Sequence, residues 1–279
     1  MGKNLAMTAA DLFGLNIQAN PKYGSEKKGQ PTTFYATLAE EPLRLNCELM
    51  HVNAVLAPDP NVFRHSNPLA GMEDGGVFIM QSDLSEEEFW NSIPGTAQRA
   101  LKSKGIKVYL LDAFKIASEE ASDPALRYRM QGAAFMGAFF HVSPLVHRYG
   151  LEEGKLFDGI RVQLKKKFGH LGERVVEDNV RVIRRGFDEI RELDVEHLSS
   201  EKSEAGSVPQ MPDALDGTGW RDGIGNPGRF WEQVCHLYQT GDDGIADPFA
   251  AISAIPAATS TIRDMTDVRF EIPEFIAEK

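Results

Sequence analysis

The first residues in this chain whose type and spacing could do chemistry are two adjacent lysines in a glycine-bounded loop. Tyr23-Gly24-Ser25-Glu26-Lys27-Lys28-Gly29-Gln30 joins two core segments, and exposed amides beside two ammonium groups can hold a phosphate-bearing ligand. A solvated basic loop is the commoner use of such a stretch, and the Walker lysine context is absent, so the loop alone leaves both readings open. Gly2-Lys3-Asn4 ahead of the first helix is equally ambiguous, since a helix N-terminus attracts anions but every helix has one. Arg127, with Arg129, opens a long helix carrying Phe135, Phe139 and Phe140. It is either a surface arginine or an anion reader at a helix start.

The remaining motifs point away from chemistry of the chain's own. Gly223-Ile224-Gly225-Asn226-Pro227-Gly228 spells GxGxxG, but no predicted strand precedes it and no acidic residue follows about twenty positions on, so it reads as a turn. Gly241-Asp242-Asp243-Gly244 lacks the alternating oxygen ligands and closing Glu of a calcium loop. His141 and His147 are six apart, which predicts different helical faces, and no HExxH or GxSxG occurs. Lys165-Lys166-Lys167 closes a helix, where the dipole favours cations, and reads as a solvated face. The only cysteines, Cys47 and Cys235, cannot build a disulfide framework or a cysteine-ligated metal site. Cys47, among apolar neighbours, is expected to be a buried, inert thiol. No catalytic residue and no metal ligand set is assigned.

The elements that must position these residues alternate. Helical spacing of Leu5, Ala9, Leu12 and Phe13 predicts a helix over 4–15, and Thr33–Leu38 reads as a strand after the basic loop. Val52–Ala57, closed by Pro58 and Pro60, and Val77–Met80, opened by Gly75 and Gly76, read as buried strands. Ser85 with Glu88 makes a capping box, and Ile106–Leu111 is a further strand after a helix stop at Gly105. After Asp112 three helices are expected, over 123–141 with Asp123 as cap and Pro124 at its first position, 152–168 and 173–190. The fold class is therefore α/β, a doubly wound, mostly parallel sheet followed by a helical segment and an extended C-terminal arm. Such a domain ordinarily starts with a strand, and none is expected ahead of the first helix. The domain organisation is an α/β domain over 1–192, a Ser/Gly/Pro-rich linker over 193–229, and an arm over 230–279 holding one short helix, 230–238.

A chain of 279 residues can bury one substantial core. Its 41 acidic against 30 basic residues give a net charge of −11, which argues against nucleic acid as a partner. No apolar run approaches the ~20 residues of a membrane helix and no leader pattern opens the chain, so a cytoplasmic location is expected.

In order, TAADLFGLN, NPKYGSEKKGQPTTFYATL, VNAVLAPDPNVF, GGVFIMQSD, KVYLLDAFKIA and RYRMQGAAFMGAFF resemble the gamma subunit or gamma domain of pyruvate and other 2-oxoacid:ferredoxin or flavodoxin oxidoreductases. The YGSEKKGQ loop is the most specific piece. The segment from Ala246 to Lys279 resembles the connector that, in long versions, runs into a ferredoxin-like module. The resemblance implies a thiamine-diphosphate enzyme that decarboxylates a 2-oxoacid, pyruvate being the commonest. Its electrons leave through iron-sulfur clusters of the 4Fe-4S type, and coenzyme A takes the acyl group. Thiamine diphosphate, magnesium and the clusters are expected on partner subunits or domains. This chain's share, by the resemblance, is contact with coenzyme A through the turn Gly2, Lys3 and Asn4, through Lys27 with Lys28 adjacent, through Arg127 where the family has an Asn, and through a last Arg at Arg174 or Arg181. Two alternatives remain: a structural subunit that binds no ligand, and a nicotinamide-dependent dehydrogenase, which the placement of GxGxxG weakens.

Overall fold

The computed structural model describes residues 2–22, 32–44, 47, 49–199 and 226–237. Its first element is helix α1 (Gly2–Phe13). Ala6, Ala9 and Ala10 favour the helix, and Leu5, Ala9 and Phe13 fall on one buried face. The helix stops at Gly14, which takes a φ of +67° and so lets the Leu15 amide reach back to the Ala10 carbonyl at 3.0 Å.

Where one strand after a loop is expected, the structure has a ribbon of two. Strand β1 (Asn16–Lys22) pairs antiparallel with β2 (Thr33–Ala39), from Asn16 opposite Ala39 to Lys22 opposite Thr33. Asn-Ile-Gln-Ala-Asn-Pro-Lys has one large apolar residue and a proline, so its own pattern marks no strand. It is extended because its backbone polar groups find partners on β2. The β1–β2 ribbon is a sheet of its own.

The second sheet runs in the order β3-β4-β5-β6. Strands β3 (Val52–Ala57), β4 (Met72–Gln81) and β5 (Lys107–Leu111) are parallel, as the α/β alternation requires, and β6 (Arg191–Leu193) joins β5 antiparallel. Phe78, Ile79 and Met80 of the inner strand β4 are all buried. This strand starts five residues earlier than predicted, with a register shift opposite Val52 and Ala54. Within the irregularity Gly75 takes a φ of +71° and donates to the Lys104 carbonyl at 2.7 Å. Strand β6 was masked in the sequence by its charge, and only pairing with β5 makes it a strand.

Helices α3 (Glu86–Ser92) and α4 (Gly95–Ser103) follow β4, and the capping box of Ser85 and Glu88 is present. Helix α5 (Ala113–Glu120) corrects the expectation of three helices after Asp112. Asp112 caps it by accepting from the Lys115 amide at 3.1 Å. A 3-10 turn over Pro124–Leu126 then delays α6 (Arg127–Val142) past the predicted cap at Asp123. Helices α7 (Leu145–Arg148), α8 (Glu153–Phe168) and α9 (Glu173–Asp188) complete the set. Helices α6 and α9 cross at Gly137 and Gly186, where a Cβ on either would run into the backbone of the other helix.

Two apolar clusters form around this crossing. One joins Leu5, Ala9 and Phe13 of α1 to Met136, Phe140, Ile160, Leu164 and Ile183. The other joins Ile79 and Leu111 of the sheet to Ile116, Met130, Phe135 and Val182.

A second unit includes residues 61–70 and 226–237. Among its described residues are α2 (Val62–His65) and α10 (Pro227–Phe230), which continues as a π turn over Trp231–Cys235. The end of the GxGxxG stretch is thus a helix start. Asn226 caps α10 by accepting from the Arg229 amide at 3.0 Å. Gly223 to Gly225 lie outside the described residues, as do Gly241 to Gly244 and the connector-like segment 246–279. Cys47, between β2 and β3 in sequence, is exposed rather than buried.

Candidate functional site

The first turn of α1 gathers more positive charge than its own sequence carries. Gly2 lies so close to the Phe34 ring that a Cβ there would overlap it, so glycine is what lets the helix start press against the base of β2. Lys3 is exposed, and the carbonyl of the Asn4 side chain accepts from the Lys167 ammonium at the end of α8. Lys167 titrates below the ordinary lysine range, first because it is partly buried and second because Lys3 is near. No acidic residue stands in this turn. Two ammonium groups at the positive end of a helix form a corner that favours an anion.

The residues that flank the basic loop in sequence, Lys22 and Thr33, pair with each other on the ribbon, and Phe34 follows directly. Lys27 and Lys28 themselves lie outside the described residues. Lys167 was not singled out as a ligand contact in the sequence. It lies 163 residues from Asn4, and only the packing of α1 on α8 turns it out of the solvated run Lys165–Lys167.

Arg127 is the exposed first residue of α6. No hydrogen bond or ion pair links it to Lys3, Asn4 or Lys167 among the described residues. One turn on, Gln131 donates to the Pro58 carbonyl at 2.7 Å, which fixes this helix start beside the C-terminal end of β3. Arg174 and Arg181 have different surroundings. Arg181 is held by Glu120 at 2.8 Å and by the buried Asp178, whose carboxylate also accepts from the Ser122 amide and hydroxyl, each at 3.0 Å. Glu120 and Asp178 also keep the Arg181 guanidinium above its ordinary range. Arg174 is exposed on the first turn of α9.

In doubly wound sheets ligands commonly sit at the C-terminal ends of the strands. Here the end of β4 is occupied: Gln81, 3% exposed, accepts from the Ala113 amide at 2.9 Å and donates to Asp112 at 3.3 Å. The polar groups there are spent on seating α5.

His141 and His147 do not diverge as their spacing predicts. Helix α6 ends at Val142, and the turn at Ser143 and Pro144 wraps both rings around one cleft of about 580 Å³ with Phe140, Leu151, Glu152 and Phe187. The His141 ring meets the Phe187 ring edge-on at 4.9 Å. Neither histidine bonds to Ser143 or Glu152 among the described residues, so no acid-base dyad forms. No group of three potential metal ligands comes together among the described residues, and no helix there is long and apolar enough to cross a membrane.

Comparison with known proteins places this chain in a family. Residues 1–189 match the family described as POR, pyruvate ferredoxin/flavodoxin oxidoreductase. The common gamma subunit of the pyruvate/ketoisovalerate oxidoreductases of Pyrococcus abyssi is 26% identical over 193 residues, which are 69% of this chain and 90% of that one. The pyruvate:ferredoxin oxidoreductase of Moorella thermoacetica is 24% identical over 191 residues, 68% of this chain but 16% of that longer one. A solved structure, pyruvate oxidoreductase subunit PORC of Thermotoga maritima, aligns with a TM-score of 0.49 and 19% identity over 68% of this chain and 88% of that one. Because the family match takes in residues 1–189 of 279, the chain belongs to the pyruvate ferredoxin/flavodoxin oxidoreductase family.

Proposed function

We propose that the chain is the gamma component of a 2-oxoacid:ferredoxin or flavodoxin oxidoreductase, with pyruvate as the 2-oxoacid, and that it helps hold coenzyme A while partner subunits or domains do the redox chemistry. In this reading those partners carry thiamine diphosphate, magnesium and the iron-sulfur clusters. The described residues of this chain offer a binding corner and no group of three potential metal ligands.

The observation that carries the coenzyme A role is the first turn of α1. Lys3, and Lys167 bonded to Asn4, stand at a helix start free of carboxylates, and Gly2 closes on the strand that the Lys27–Lys28 loop feeds. Coenzyme A carries several phosphate charges, which such cations bind through charge-assisted hydrogen bonds. Arg127 and Arg174 are further cations, and guanidinium groups suit phosphate oxygens.

The test is the double replacement of Lys27 and Lys28 by Ala in the assembled enzyme. Coenzyme A affinity is expected to fall by about 1.5–3 kcal/mol, less at high salt, while decarboxylation of the 2-oxoacid survives. A wild-type dependence on coenzyme A at every ionic strength would make the chain a structural subunit. Loss of decarboxylation in the absence of coenzyme A would instead make the loop an organiser of the thiamine site or of a subunit contact.

A further inference from the structure

The nine residues from Arg191 to Ser199 are fixed to the α3–α4 side of the first unit at successive points. Arg191 donates to the Leu84 carbonyl at 3.1 Å. Leu193 and Val195 are buried. Beyond them the Lys102 ammonium donates to the Leu198 carbonyl, and the Trp90 indole N–H donates to the Ser199 carbonyl at 2.9 Å. The same ammonium lies 5.5 Å from the centre of the Trp90 ring, a cation–π contact that keeps the two donors together.

The donors are themselves held from behind. Trp90 is 2% exposed, and its own carbonyl accepts from Gln98 at 2.6 Å, so neither ring nor backbone is free to follow the strap. Both captured groups are main-chain carbonyls. The clamp therefore holds a chain path rather than particular side chains, and it does so with an indole and an ammonium that nothing in the coenzyme A corner uses.

We propose that Trp90 and Lys102 form a latch that captures the backbone at Leu198 and Ser199 and holds this end of the α/β unit against α3 and α4. Closing such a latch costs little, because only two donors have to be ordered and both already are.

The experiment uses the full chain and a Glu-specific protease, reading cleavage after the exposed Glu196 by mass. Cleavage needs the strap to lift locally off α4. The double variant Trp90→Phe, Lys102→Met keeps an aromatic ring and an apolar stem but removes both donors. It is expected to be cut after Glu196 on the order of tenfold faster than wild type, the change that losing one or two ordinary hydrogen bonds produces in a local opening equilibrium. Thermal melting of each protein, followed by circular dichroism, is recorded alongside. Should the double variant melt early, Lys102→Met alone replaces it, since Lys102 is only half-buried and its loss leaves the Trp90 packing intact. Unchanged cleavage in a variant with a wild-type melt overturns the proposal and leaves the buried Leu193 and Val195 as the sole anchors. Faster cleavage at Glu196 with an unchanged melt supports it.

Discussion

At the scale of single residues the two thiols differ sharply. Cys47 is exposed, whereas burial pushes the Cys235 thiol up to about 11. Since the thiolate is the reactive form, at pH 8 Cys235 offers about a hundredfold less of it than an ordinary cysteine. Titration with a maleimide is expected to give one fast thiol, lost in Cys47→Ser, and one slow thiol; two equally fast thiols would contradict this environment for Cys235. Asp178 makes a second residue-scale prediction. Burial pushes its carboxyl up, but the Ser122 amide and hydroxyl and the Arg181 guanidinium outweigh that and hold it below the ordinary range. Folded, it binds its proton less readily than unfolded, so its contribution to stability is complete above the unfolded pKa of about 4 and is lost as pH falls through the lower folded value. Asp178→Asn is expected to cost stability at pH 7, by about 1–3 kcal/mol, and to flatten the acid limb of a melting-temperature profile. An acid limb of unchanged slope would show that other carboxylates dominate it. These environments were not legible in sequence, because burial comes from packing and Ser122, which supplies two of the bonds to Asp178, lies 56 positions away.

At the scale of elements, the crossing of α6 over α9 is decided by two glycines with opposite expectations from a third. Gly186→Ala places a Cβ into the Ala134 backbone, so the helices must part, at a cost of about 1–3 kcal/mol or more. Gly154 on α8 has open space where a Cβ would go, and Gly154→Ala should stabilise by about 0.5–1 kcal/mol through helix propensity. Denaturant melts of the two variants check both signs, and equal effects would remove the case for a close crossing. Elements written in strong local patterns were legible. The capping box at Ser85, the stop at Gly105, and β3 and β5 lie where their residues predict, because an apolar run or a cap needs no distant partner to be recognised. Strands β1 and β6 were not, because both are polar segments made extended by the strands beside them.

At the scale of the whole molecule, the described surface leaves Met50 75%, Val162 53%, Leu171 53% and Met7 49% exposed, and among the described residues the β1–β2 ribbon has no third strand. Exposed apolar side chains and open strand edges favour association, so the chain alone is expected to associate in size-exclusion chromatography with light scattering, and to bind partner subunits when co-expressed. A monodisperse monomer with a cooperative melt would count against this. What the sequence determined by itself was the α/β alternation, the acidic balance of 41 against 30 charges, and the family, because periodicity, caps and an ordered series of motifs are properties of short stretches. Only the tertiary structure decided that Lys167 reaches Asn4, that Arg181 is spent on Glu120 and Asp178 while Arg174 is exposed, and that His141 and His147 share a cleft. Each of these joins or separates side chains through the packing of whole helices, and a helix's neighbours depend on which apolar faces meet, which no local spacing records.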